Sequence, residues 1–117
     1  MTVARIAEIL GADFVAGAEE AAREIRMAIC SDIMSDVLSF STSQSLLLTG
    51  LTNIQAVRTA EMADIAAICY VQGKRPGPDS LSLAREKGIL LLSTPLGSFE
   101  SSGRLHAAGL EACGVLG

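Results

Sequence analysis

Four polar clusters hold the side chains of this sequence that can do chemistry. They are Ser31-Asp32 with Ser35-Asp36, Thr49-Gly50 with Thr52-Asn53, Gln72-Gly73-Lys74-Arg75, and Ser93-Thr94 with Gly97-Ser98. Hydroxyls, amides and cations are the groups that hold an anion, and glycine lets backbone N–H groups approach it closely. Asp32, Ser35, Thr49, Gly50, Asn53, Lys74, Arg75, Ser93 and Thr94 are therefore the candidate ligand-binding residues. Ser, Thr, Asp and Asn are also the preferred helix N-caps, so any one cluster is explained equally well by capping. The argument for binding is their recurrence, because each of the four follows an apolar run of strand length.

Other chemistries find less support. Asp32 and Asp36 stand four apart, a spacing that on a helix aligns two carboxylates for a hard cation. A helix N-terminus accounts for the same pair, and neither a metal site nor any other cofactor is expected. Thr49 to Asn53 lacks the G-x-x-x-x-G-K pattern of a P-loop, and no G-x-G-x-x-G or G-x-S-x-G motif occurs. His106, the one histidine, lies beside Arg104 in a helical stretch and is expected to face solvent. Independent catalysis is not expected; an enzyme completed across a dimer, with Asp32 or His106 as acid or base, is the most distant reading.

The elements that must position these clusters follow from apolar patterning. Ile25 to Cys30, Leu46 to Leu48, Ile65 to Val71 and Ile89 to Leu92 are near-continuous apolar runs, as expected of strands buried on both faces. Between them, Asp32 to Phe40 (with Ile33, Val37 and Phe40), Asn53 to Ala63 (with Ile54, Val57 and Met62) and Ser80 to Lys87 (with Leu81 and Ala84) show helical spacing. Thr2 to Leu10 reads as a short helix stopped by Gly11, Asp13 to Gly17 as a short extended piece, and Ala18 to Arg23 as a turn. A last helix is expected from about Phe99 to Cys113, with Leu105, Ala108 and Ala112 inward. Gln72 to Asp79, with two glycines and two prolines, is a loop. Strands alternating with helices predict an α/β domain with a mainly parallel sheet and helices on both faces. In such a sheet the four clusters fall at the carboxyl ends of the strands, where ligands usually bind.

Composition narrows the partners. The 117 residues suffice for one domain burying roughly two thirds of its unfolded surface. With 50% apolar but only 3% aromatic residues, the core must be aliphatic. A net charge of −4 and scattered Lys and Arg argue against nucleic acid. No run approaches the roughly 20 apolar residues of a membrane span. The opening Met1 to Arg5 soon meets Glu8 without the pattern of a secretory signal, so the cytoplasm is the expected location. Cys30, Cys69 and Cys113 are odd in number and lack C-x-x-C spacing, which fits free thiols. Cys30 and Cys69 sit in apolar runs and are expected to be buried, and Cys113 to be accessible.

The ordered string carries a resemblance. Arg23-Glu24-Ile25 leads to Ser31-Asp32-Ile33-Met34-Ser35-Asp36-Val37-Leu38, then Leu48-Thr49-Gly50 with Asn53-Ile54-Gln55-Ala56-Val57, and finally Ser93 to Glu100 with Gly103-Arg104-Leu105. This resembles the DRTGG domain across nearly the whole chain, as a single domain over residues 1–117. The naming string is not literally present, Val57-Arg58-Thr59-Ala60 standing near its place. The family is similar to the N-terminal, non-kinase domain of HPr kinase/phosphorylase and occurs beside CBS domains and in phosphotransacetylases. The resemblance implies a regulatory or assembly role, homo-oligomerisation, and, for stand-alone members, a redox or hydrogenase-related setting. Kinase activity is not implied, because the P-loop is missing. Two readings result: a non-catalytic module acting through a homodimer and a protein partner, to which Val115-Leu116 would add apolar surface, or a sensor of an anionic metabolite or nucleotide.

Overall fold

The computed structural model describes residues 1–114. The chain forms α1 (Val3–Leu10), β1 (Asp13–Ala16), a 3-10 turn (Ala18–Glu20), β2 (Met27–Cys30), α2 (Met34–Phe40), β3 (Leu46–Thr49), α3 (Ile54–Met62), β4 (Ala67–Tyr70), α4 (Pro78–Lys87), β5 (Leu90–Ser93), α5 (Ser98–Ala107) and β6 (Glu111–Ala112). Val115-Leu116 lie outside the described residues.

One six-stranded sheet, ordered β1-β5-β4-β3-β2-β6, organises the chain. β2 through β5 are parallel neighbours, β6 pairs parallel to β2, and β1 pairs antiparallel to β5. All residues of β3, β4 and β5 are buried, which is why these strands read as unbroken apolar runs. Their side chains alternate between two cores. Leu46, Leu48, Cys69, Leu90 and Leu92 pack with Val3, Ile6 and Leu10 of α1 and Leu105 of α5. Leu47, Ile68, Tyr70 and Leu91 pack with Val37 of α2, Val57 and Ala60 of α3, and Ala84 of α4. The domain is thus α/β, with helices on both faces of a mainly parallel sheet.

The three successive crossovers carry α2, α3 and α4 over one face. The chain then turns after β5 and sends α5 back across the other face to β6 at the far edge. Thr2 caps α1 by accepting from the Arg5 amide at 3.1 Å, and Gly11 closes that helix in the left-handed region at φ 58°.

Several expectations need correction. α5 ends at Ala107, not near Cys113, because Gly109 takes a positive φ (106°) and the next residues pair as β6; Ala108 and Ala112 are exposed. On α2 only Val37 is buried, while Ile33 and Phe40 are 59% and 55% exposed, and Met62 at the end of α3 is also exposed. Cys30 is exposed: among the described residues only the two of β6 pair beyond β2, opposite Met27 and Ala28. Cys69 is buried and Cys113 half-buried.

Candidate functional site

The carboxyl ends of the four parallel strands form one rim, and the polar clusters occupy it as strand-to-helix turns. At its centre lies a close group. Asp32, in the turn between β2 and α2, sends Oδ1 to the neighbouring strand, where it accepts from the Thr49 hydroxyl at 2.9 Å and the Gly50 amide at 2.7 Å. Thr49 Oγ1 in turn accepts from the Leu51 amide at 3.1 Å. The Gly50 amide and the Thr49 hydroxyl hold the Asp32 carboxyl below the ordinary carboxylate range, outweighing partial desolvation; the nearby Lys74 ammonium acts in the same direction. An aspartate held ionised in this way, and exposed, is unsuited to the role of general acid. It also stands before α2, not on it, so Asp32 and Asp36 do not share a helical face.

Lys74 approaches from the turn after β4. Its Nζ lies 3.2 Å from the point where a side chain on Gly50 would begin, and Asp32 Oδ2 lies 3.6 Å from the same point. Among the described residues the ammonium makes no ion pair. Its main chain is fixed: the Ser93 hydroxyl donates to the Lys74 carbonyl at 2.8 Å, and the Lys74 amide donates to the Val71 carbonyl at 3.2 Å. The turn itself is made by Gln72 and Gly73, both left-handed at φ 58° and 68°.

The crevice between β4 and β5, where outgoing helices part to opposite faces, is closed by the chain itself. The Gln72 amide donates to the Leu96 carbonyl and the Gly73 amide to the Thr94 carbonyl, both at 2.8 Å. Thr94 is fully buried, with Oγ1 donating to the Leu10 carbonyl at 2.6 Å and accepting from the Leu96 amide at 3.2 Å. Ser93 and Thr94 therefore brace the two loops. Asn53 accepts from the Gln55 amide at 3.0 Å as the N-cap of α3. Arg75 turns to Asp13 on β1 at 2.8 Å, an exposed ion pair. Ser35 is exposed on α2. Of the nine candidates, then, Asp32, Thr49, Gly50 and Lys74 converge, and the other five are spent in the loops, a cap, an ion pair and an outward helical position.

A second concavity was not anticipated from the sequence. A groove of about 380 Å³ runs between α5 and the edge of the sheet, floored by Ala28, Cys30 and Leu48 and walled by Phe99, Leu105 and Leu110. Phe99 is 92% exposed. The available signal was the spacing of α5: Phe99 and Leu105 are its two large apolar residues, and six positions place them about 120° apart around a helix. Only one of them can face the core.

A model of the DRTGG domain family matches residues 5–108. Among solved structures, the fold is similar to the CBS and DRTGG domains of the regulatory region of Clostridium perfringens pyrophosphatase, complexed with its activator diadenosine tetraphosphate. The TM-score is 0.72 at 16% identity, over 94% of this chain and 47% of that one. The chain thus spans about half the length of that regulatory region, and the likeness is one of fold. No curated protein sequence matches the chain.

Proposed function

The chain belongs to the DRTGG domain family, and from that premise we propose that it is a non-catalytic regulatory module that binds an anionic metabolite or nucleotide at the rim of its sheet. The observation that carries this reading is the Lys74 ammonium. The Lys74 backbone sits on a braced turn, its Nζ stands over a glycine at the centre of the rim, and no carboxylate among the described residues lies within ion-pair distance of it. An ammonium without a bonded counter-ion takes an incoming anion without first breaking an ion pair, and a fixed backbone leaves only side-chain freedom to be lost on binding. Support by analogy comes from the pyrophosphatase regulatory region, a protein of related fold that is complexed with a dinucleotide activator.

The test is a thermal-shift screen against nucleotides and phosphorylated metabolites. Ligand at a hundredfold its dissociation constant adds about 2.7 kcal/mol, which for a domain of this size raises the midpoint by roughly 10 °C. Lys74→Ala removes the shift and leaves the unliganded midpoint in place. Silence across the panel refutes the rim as a ligand site.

A second reading is favoured by the α5 groove. An apolar channel beside a 92% exposed phenylalanine is the kind of surface that protein contacts cover, and it supports a homodimer, or a protein partner, meeting the chain at the β2–β6 edge. Sedimentation velocity over a range of concentrations tests it; a monomer throughout removes the homodimer.

A further inference from the structure

The rim carries a fixed acceptor as well as a cation, and this restricts the ligand. Asp32 uses only Oδ1 in its bonds to Thr49 and Gly50, leaving Oδ2 without a hydrogen bond among the described residues. Lys74 Nζ and Asp32 Oδ2 flank one point above Gly50, at 3.2 and 3.6 Å, yet do not close into an ion pair. The gap between them is floored by a glycine α-carbon, and any side chain at position 50 would fill it.

The two groups ask for different partners. Asp32 already receives an amide and a hydroxyl on Oδ1, and its free oxygen is an acceptor suited to a hydroxyl donor. Lys74 has no bonded anion among the described residues and is suited to a phosphate or carboxylate. A ligand meeting both needs presents a hydroxyl and an anion a few ångströms apart. A carboxylate at the end of a strand that accepts from sugar hydroxyls, with phosphate bound near a helix start, is a general solution in α/β folds.

Resting on the rim as ligand site, we propose that Asp32 and Lys74 together read a phosphorylated polyol, either a ribonucleotide or a free sugar phosphate. Asp32 Oδ2 accepts from a hydroxyl, Lys74 Nζ holds phosphate, and Gly50 leaves the lane open between them. Bare phosphate meets only half of the site.

Isothermal titration of the full chain with AMP, 2′,3′-dideoxy-AMP, ribose 5-phosphate and inorganic phosphate tests this. At least one hydroxylated phosphate binds tenfold or more tightly than both the dideoxy nucleotide and inorganic phosphate. Strong AMP with weak ribose 5-phosphate identifies a nucleotide; equal binding identifies the sugar phosphate. Asp32→Asn, which replaces the free acceptor by a donor, erases that tenfold preference. Gly50→Ala, at a backbone conformation open to any residue, abolishes binding with its circular dichroism and midpoint retained. Dideoxy-AMP binding as well as AMP, or Asp32→Asn strengthening every anion alike, overturns the polyol assignment while leaving an anion site standing. No binding of any of the four compounds overturns both.

Discussion

Tyr70 shows how a single residue can be at odds with its surroundings. Its side chain is fully buried against the α2–α4 face, its hydroxyl finds no partner among the described residues, and burial pushes its pKa up. A buried hydroxyl without a bond costs about 1–3 kcal/mol of desolvation. Tyr70→Phe deletes the oxygen and keeps the ring, so it should leave stability unchanged or raise it by about 1 kcal/mol in urea denaturation. A clear loss would mean that the hydroxyl is bonded after all. Asp32 gives the opposite case, a polar group with good partners. Its pKa is lower in the folded state than in the unfolded chain. Its contribution to stability is therefore present above the unfolded carboxylate value and is lost as pH falls through the folded one, in the range below about pH 4. Exposure keeps the contribution small. The stability gap between wild type and Asp32→Asn should be wider at pH 7 than at pH 3, as read from urea midpoints; a gap independent of pH would remove the charge from the account.

At the scale of elements, the question is which polar residues are occupied by holding the fold. Asn53 accepts from the Gln55 amide and has a structural task whether or not a ligand binds. Asn53→Ala should cost about 1 kcal/mol of stability, the usual value of an N-cap. Ligand affinity measured well below the unfolding midpoint should be unchanged; a fall there would place Asn53 in the site. The sequence could not separate these roles, because capping and binding draw on the same residue types. It did locate the turns, since short apolar runs such as Ile65 to Val71, bounded by polar turn residues, fit strands buried on both faces, and their ends set the rim. The pairing of Asp32 with Gly50 was hidden for another reason. It joins residues 18 apart through the parallel register of β2 and β3, and no local periodicity encodes a register. The ion pair of Arg75 with Asp13, 62 residues apart, depended likewise on β1 lying antiparallel beside β5. β6 escaped detection because it is a two-residue strand whose pairing with β2 is set by tertiary contact, so Ala108 and Ala112 read as a continuation of α5.

For the whole molecule, the decisive feature is asymmetry between the two ends of the sheet. The β5 side is closed by antiparallel β1, whereas among the described residues only β6 lies beyond β2, and α5 leaves a groove over β2. Cys30 lies in that groove as an exposed thiol, while Cys69 is buried with its thiol pushed up to about 12. The two cysteines thus report on different depths. In a native labelling experiment with a thiol reagent, Cys30 should react quickly and Cys69 only on unfolding. If two copies meet through the groove, Cys30 labelling should slow as protein concentration rises through the association range. Phe99→Asp places a charge on the contact and should restore the fast, concentration-independent rate. Because Phe99 is almost wholly exposed in one copy, the same change should leave the unfolding midpoint of the monomer nearly unchanged. Labelling that stays fast at all concentrations would instead leave the groove uncovered by a second copy.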